Sequence, residues 1–117
     1  MNRTSGHAWV KEFSGAITVC DSTGTIIELN DKAIENFRDR GGEKLIGRNL
    51  LDCHPEPART KLKELMDKPQ ANIYTIEKNG VRKLVHQTPW YVDGRYRGFM
   101  ELILEIPREM PYFLRNP

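Results

Sequence analysis

The residues best suited to chemistry in this 117-residue chain are Cys53 and His54, which stand side by side before Pro55. Thiolate and imidazole groups both bind zinc and iron, so the pair is a candidate metal or haem site. Adjacent residues rarely ligate one metal well, and no other ligand is placed near them by spacing. We therefore predict no metal here and keep His54 only as an alternative haem ligand.

A second candidate site is a row of polar residues, Asn72, Tyr74 and Gln87, on one face of the predicted strands. A buried polar group costs about 1–3 kcal/mol unless it is hydrogen-bonded. One interpretation, slightly favoured, is a self-satisfied network or a solvated sheet edge. The other is a small ligand cavity between sheet and helices. The other predicted cavity residues are Met100, Ile34, Phe37, Leu50, Leu62 and Met66.

The strands that would carry this row are predicted from a hairpin signal at Asp93-Gly94, between apolar runs at 81–92 and 96–106. Asp-Gly favours a two-residue turn, because both turn residues need φ > 0. Such a turn pairs Val92 with Arg95, and the pairing then continues along both strands. The register predicts these further pairs: Arg82 with Glu105, His86 with Glu101, Gln87 with Met100, and Trp90 with Arg97. A three-residue turn or a bulge near Pro89 would shift them.

A second hairpin signal, Asn79-Gly80, follows a third run of strand-forming residues at 71–77. A two-residue turn here pairs Glu77 with Arg82 and Asn72 with Gln87. The result is a three-stranded antiparallel meander.

One face of this meander is predicted to point away from the helices. Its apolar members in the predicted register are Ile73, Leu84, Thr88, Trp90, Phe99 and Ile103. The residues predicted to rim this patch are Arg82, Glu77, Glu101, Glu105 and Arg97. An apolar patch with a charged rim is typical of an interaction surface. A short helix at 7–13 could cover it, with Trp9 and Phe13 on Leu84 and Ile103. We favour covering of this face by a second copy of the chain over this alternative, and we predict a homodimer.

The rest of the chain predicts short helices between two groups of strands. The predicted elements are strands at 16–20 and 25–29, a helix capped by Asn30 and ended by Gly41-Gly42, a helical turn at 43–46, a helix at 58–67 and an irregular tail at 107–117. Helices segregated within an antiparallel sheet predict an α+β fold. We expect an N-terminal extension at 1–14, one domain at 15–106 and a tail at 107–117.

The composition and the motifs of the chain argue against several classes of protein function. Eighteen basic and sixteen acidic residues are interspersed and leave a net charge of +2, so nucleic acid is not expected as a partner. The sequence shows no membrane span and no signal peptide, and we expect a cytoplasmic protein. No nucleophile–base set or phosphate-binding loop is placed by spacing, so we predict that the chain is not an enzyme.

The order of these elements resembles a PAS domain. The stretch from Ala16 to Asn30 resembles the opening PAS hairpin, Ala33, Ile34 and Phe37 match the following helix, and residues 45–51 resemble the Gly-Arg segment. Residues 93–106 match the final hairpin. The resemblance covers residues 13–106 and implies a five-stranded antiparallel sheet with helices on one face. It also implies a sensory, ligand-binding or dimerising module of the kind attached to kinases, cyclases or transcription factors.

One departure from the family pattern narrows the expected cofactors. Light-sensing flavin members carry a cysteine directly after Gly-Arg-Asn, whereas Leu50 follows Asn49 here, so we predict no flavin photochemistry. Some PAS sensors hold haem through a helix histidine, which keeps His54 as the alternative. We therefore expect a sensor or interaction module with no cofactor. We expect it to act as a homodimer or on an effector partner, and we also predict that it binds a small-molecule ligand. A ligand-free dimerisation domain and a small α+β enzyme are the other hypotheses.

Overall fold

The computed structural model describes residues 8–117, and His7 and the residues before it lie outside the described part. Five antiparallel strands form one sheet in the order β2-β1-β5-β4-β3. The strands are β1 Ala16–Asp21, β2 Ile26–Leu29, β3 Asn72–Lys78, β4 Val81–Val92 and β5 Arg95–Ile106. The α-helices are α1 Ala8–Lys11, α2 Asp31–Asn36 and α3 Ala58–Asp67, with 3-10 turns at Arg38–Arg40, Gly42–Leu45 and Leu50–Cys53. This is the predicted α+β fold.

Both predicted hairpin turns are present. Asn79 and Gly80 have φ of 53° and 79°, and Asp93 and Gly94 have φ of 50° and 77°. Two consecutive positive φ angles define the type I′ turn that suits the twist of a hairpin. The predicted β3–β4 register is confirmed, with Asn72 opposite Gln87.

The predicted β4–β5 register is wrong beyond the first two pairs because of a β-bulge. Tyr91 lies opposite Tyr96 as predicted, but Trp90 then lies opposite Gly98, which leaves Arg97 as the extra residue. A one-residue slip moves every later side chain of a strand to the other face. The predicted pairs are replaced by Arg82 with Ile106, His86 with Leu102, and Gln87 with Glu101.

Gly98 explains why the bulge is placed here. The Trp90 indole Nε1 donates a hydrogen bond of 2.9 Å to the carbonyl oxygen of Cys20, on the far side of β5. A Cβ on Gly98 would lie 2.0 Å from that oxygen and 2.6 Å from Nε1. Only glycine lets the indole cross the strand this closely.

The slip reverses the predicted faces of β5. We call the side of the sheet that packs on the helices the inner face and the opposite side the outer face. Phe99 and Ile103, predicted to be outward, lie on the inner face with Glu101, where they align with the buried face of β1. Met100, predicted to line an inner cavity, lies on the outer face opposite Val19.

The core lies between the inner face and the helices. Phe99 has no exposed surface and packs in one cluster with residues of β1, β2 and the helical layer. The buried members are Ala16, Cys20, Ile26, Leu29, Ala33, Leu45, Leu50, Cys53, Leu62, Leu65, Met66 and Phe99. The predicted helix across Ala58–Asp67 supplies three of them, Leu62, Leu65 and Met66.

Asn30 is the predicted N-cap of α2, and it also joins the N-terminal segment to the sheet. Its side-chain oxygen accepts hydrogen bonds from the backbone N–H of Ala33 at 3.1 Å and of Ile17 at 2.9 Å. Its amide donates to the carbonyl oxygens of Val10 at 3.1 Å and Gly15 at 2.8 Å. Asn30 is almost completely buried, so these bonds satisfy groups that water cannot reach.

The predicted covering of the sheet is wrong for Trp9, whereas Phe13 lies at the edge of the outer face. Trp9 is 72% exposed, and Val10 is the buried residue of α1. The segment is held beside the start of α2, through Asn30 and an exposed ion pair of 3.0 Å between Lys11 and Asp31. The Phe13 ring lies beside Leu104, since a Cβ on Gly15 would be 2.9 Å from Phe13 Cε2 and 2.5 Å from Leu104 Cδ2. Ile103 lies on the inner face.

Candidate functional site

The outer face is the first candidate site, and it carries an apolar surface across β1, β5 and β4. Pairing of β1 with β5 places Ile17 opposite Leu102 and Val19 opposite Met100 on this face. Leu84 lies opposite Leu104 on the neighbouring strands. These side chains are half-buried, and none belongs to the core cluster. Ile73, on the edge strand β3, is 59% exposed.

Charged residues border this surface at one end of β3 and β4. Arg82 and Arg108 lie 3.7 Å and 3.9 Å from carboxylate oxygens of Glu77. Arg82 also donates a 3.0 Å hydrogen bond to the carbonyl oxygen of Arg108, which holds the start of the tail against the sheet edge. Two predicted rim residues, Glu101 and Glu105, lie on the inner face instead because of the bulge.

The polar row on the inner face forms a hydrogen-bonded chain. The amide of Asn72 donates to the side-chain oxygen of Gln87 at 3.1 Å, and the Gln87 amide donates to a Glu101 carboxylate oxygen at 2.9 Å. Gln87 is buried, so both bonds stabilise it. The favoured interpretation holds for Asn72 and Gln87, but the third member of the network is Glu101, which the bulge brings to this face, and not Tyr74. Tyr74 lies at the exposed edge, where partial burial, and then the charge of Glu101, raise the pKa of its hydroxyl.

The predicted apolar cavity residues are brought together, with one exception. Leu50, Leu62 and Met66 belong to the core cluster, and Ile34 and Phe37 pack against it. Met100 faces the other way. These contacts form a packed core at the place where the sequence predicts a cavity, and ligand binding there stays a prediction.

Tyr96 is a candidate that the sequence reasoning did not single out. Its hydroxyl is buried and is the one such side-chain polar atom without a hydrogen-bond partner in the described part of the chain. Burial raises the pKa of this hydroxyl, with smaller contributions from Cys20, Tyr91 and Asp67. The phenol therefore stays protonated and has a donor available for a water molecule or a ligand.

The region around Cys53 and His54 forms a surface groove of about 450 Å³. We call it the arginine groove, and its lining residues are Arg40, Leu45, Arg48, Asp52, Cys53, His54, Pro55 and Arg59. The three arginines are 8 and 11 residues apart in sequence, so no charge block marks them. The His54 ring Nδ1 lies 3.0 Å from the carbonyl oxygen of Leu50, which fixes the ring against the backbone.

This lining does not suit haem, which needs a large apolar pocket on both sides of its ring. Three guanidinium groups and one carboxylate dominate the groove. Burial raises the pKa of the Cys53 thiol, and the charges of Arg40 and Arg48 oppose that rise. Burial likewise raises the pKa of the Cys20 thiol to about 11. Neither thiol is a thiolate near neutral pH. We do not propose haem at His54.

Metal sites and membrane spans are two further site types to consider in residues 8–117. No group of three histidine, cysteine or carboxylate residues within that range is arranged to hold a metal ion. No helix in the same range is long and apolar enough to span a membrane.

The fold is similar to several solved sensor domains. The PAS domain of BvgS from Bordetella pertussis is 13% identical, with a TM-score of 0.64 over 86% of this chain and 83% of that one. A sensory box sensor histidine kinase from Vibrio cholerae is 16% identical, with a TM-score of 0.60 over 87% and 89%. The Aer2 receptor from Vibrio cholerae, described as a dual PAS-haem oxygen sensor, is 15% identical, with a TM-score of 0.57 over 80% and 95%.

These similarities show that the chain has a PAS-like fold, which confirms the resemblance found in its sequence. No protein-family model matches the sequence, and no curated protein matches it. Because the sequence identities are below 20%, these similarities show the fold alone, and function is argued from the surfaces described above.

Proposed function

We propose that the chain is a signal-transduction module that pairs with a second copy of itself through the outer face of its sheet. The observation that carries this proposal is the orientation of β5. That strand directs Phe99 and Ile103 inward but also places Glu101 on the inner face. Its continuous apolar series of Met100, Leu102 and Leu104 points outward.

The outer face has the composition of an interface core. Cross-strand neighbours such as Ile17 and Leu102 are apolar and half-buried, so a partner would remove their remaining surface from water. Charged groups, including the Glu77–Arg82 pair, lie at the border, where they remain solvated. A two-fold axis over β5 would place like apolar residues of both copies together, which is the commonest arrangement for a homodimer.

Two isoleucines of β3 provide a matched test of this surface. Ile73 lies on the outer face and is 59% exposed, whereas Ile76 lies on the inner face and is 41% exposed. Either residue can be replaced by glutamate at little cost to the monomer, because both are exposed. We expect Ile73→Glu to weaken the dimer about tenfold by burying a charge in the interface, and Ile76→Glu to leave it unchanged.

The measurement is sedimentation velocity from low to high micromolar concentration, with circular dichroism to confirm folding. Leu102→Glu, at the centre of the outer face, should give a monomer at all these concentrations. A wild-type monomer at high micromolar concentration would overturn the proposal. A dimer that tolerates both Ile73→Glu and Leu102→Glu would also overturn it.

A second candidate function, small-molecule sensing in the core, is favoured by the unpartnered hydroxyl of Tyr96. The hydroxyl is buried, and the charges that act on it include those of Cys20 on β1 and Asp67 on α3. A ligand accepting its hydrogen bond would contact elements that also position β5, and so would couple binding to the outer face. Native mass spectrometry of wild type and Tyr96→Phe tests this, because a bound molecule that uses the hydroxyl should be lost from the variant.

A further inference from the structure

We propose that the arginine groove binds a small organic anion carrying phosphate or carboxylate groups. The groove lies in the helical layer, on the opposite side of the core from the outer face. Its binding activity therefore does not depend on the proposed dimer, and the two proposals can fail separately.

The charge of the groove is the first observation. Three arginines line it, and the single carboxylate among its residues, Asp52, lies 3.5 Å from Arg59. That pair is half exposed on both sides, so it holds the Arg59 guanidinium only weakly. Arg40 and Arg48 then give the concave surface an excess of positive charge, and such a cleft attracts anions.

A second groove on the same layer provides a contrast. It has a volume of about 560 Å³ and is lined by Asp31, Ile34, Glu35, Arg38, Gly41, Gly42 and Lys44. Its two carboxylates balance its two cationic residues, so it has no preference for anions. The arginine groove is distinguished from it by the sign of its charge, since the two volumes are similar.

Arg40 is held through its side chain, and Arg48 is positioned through its backbone. Arg40 donates a hydrogen bond from Nη1 to the carbonyl oxygen of Cys53, which orients the guanidinium and leaves its other N–H groups available. The Arg48 carbonyl oxygen accepts a 2.8 Å hydrogen bond from the Ile26 N–H, which fixes its backbone beside β2. Both arginines line the groove together with Cys53.

Guanidinium groups suit phosphate and carboxylate because their planar N–H pairs match two oxygens at once. Within residues 8–117, the Arg48 side chain has no hydrogen bond or ion pair with the protein. It can therefore turn to an anion without breaking an existing contact. Arg40 would contribute the N–H groups that Cys53 does not use.

Arg48→Gln is the decisive variant, because its side chain supports no other part of the fold. Arg38→Gln, in the mixed groove, is the matched control. Pyrophosphate and citrate are titrated into each protein at constant ionic strength, and the backbone amide signals of residues 48–54 are followed by NMR. We expect saturable shifts in the wild type, about tenfold weaker binding in Arg48→Gln, and unchanged binding in Arg38→Gln.

Binding of pyrophosphate alone would assign the groove to phosphate compounds, and binding of citrate alone would assign it to carboxylates. Three results would overturn the proposal: no saturable shift with either anion, equal binding by wild type and Arg48→Gln, or an equal loss in Arg38→Gln. Equal loss would indicate attraction by net charge and not by the groove.

Discussion

The two faces of the sheet differ in how completely this chain covers them. On the inner face, Phe99 and Cys20 have no exposed surface, and Gln87 is held by hydrogen bonds on both sides. On the outer face, Met100, Leu102 and their neighbours keep part of their apolar surface in water. At β1 and β5 the inner face is covered within one chain, whereas the outer face would gain stability if something else covered it.

The comparison also shows that an apolar series on a strand does not by itself identify the core side. The bulge places Glu101 on the inner face, and Gln87 donates a hydrogen bond to its carboxylate there. A satisfied polar group can be buried at modest cost, so the more apolar side of β5 is free to serve another contact.

The largest expected difference between the faces comes from truncating neighbouring residues of β5. Phe99→Ala should lower the free energy of unfolding by about 3–5 kcal/mol, because it leaves a cavity in a closed core. Met100→Ala should cost about 1 kcal/mol in the monomer, since its side chain is half exposed. Urea unfolding measures both values.

Measuring the cost of each substitution at several protein concentrations distinguishes the two faces further. If the outer face forms the dimer, the cost of Met100→Ala should increase with protein concentration, while that of Phe99→Ala should stay constant. Equal costs for the two variants at low concentration would contradict the assignment of the two faces.

An intermediate effect is expected for the polar row of the inner face. Gln87→Leu removes both hydrogen bonds and should destabilise the fold by about 1–3 kcal/mol, because Glu101 and Asn72 lose their partner. The double variant Gln87→Leu/Glu101→Leu should recover part of this loss, because it removes the stranded carboxylate as well. A neutral Gln87→Leu in urea unfolding would mean that the row is solvated and not internally satisfied.

The smallest effect concerns Asp21, at the exposed end of β1. The hydroxyl of Thr23 donates to its carboxylate at 2.7 Å, and this bond, followed by backbone N–H groups, lowers the pKa of Asp21. A lowered pKa contributes stability above the ordinary aspartate value of about 4, and the contribution disappears as pH falls through the lowered value.

Thr23→Val should therefore raise the Asp21 pKa toward its ordinary value in an NMR titration. It should also destabilise the fold slightly at neutral pH, and this difference should vanish in acid. A Thr23→Val variant whose Asp21 pKa is unchanged would show that the hydroxyl bond is not the main cause.

Much of the fold could be predicted from local signals. The Asn79-Gly80 and Asp93-Gly94 turns, the Asn30 cap and the helix at Ala58–Asp67 each depend on a few neighbouring residues. The β3–β4 register follows directly from its turn, because no bulge interrupts that pair.

The β4–β5 register could not be predicted in the same way, because a turn fixes register only up to the first bulge. Gly98 was the available signal, since a glycine within a strand often marks a bulge or a close approach. What requires the glycine is the Trp90 indole, which belongs to another strand. The arginine groove was missed for a related reason, since only the fold brings Arg40 and Arg48 beside Cys53.

The crossing of Trp90 over Gly98 also gives the protein an internal fluorophore. The indole is anchored on β4 and donates to the Cys20 carbonyl of β1, so it spans three strands. Trp9 is the only other tryptophan in the sequence, and it is largely exposed. A Trp9→Phe chain would emit from Trp90 alone, and a shift in the spacing of β1, β5 and β4 would change the wavelength of that emission.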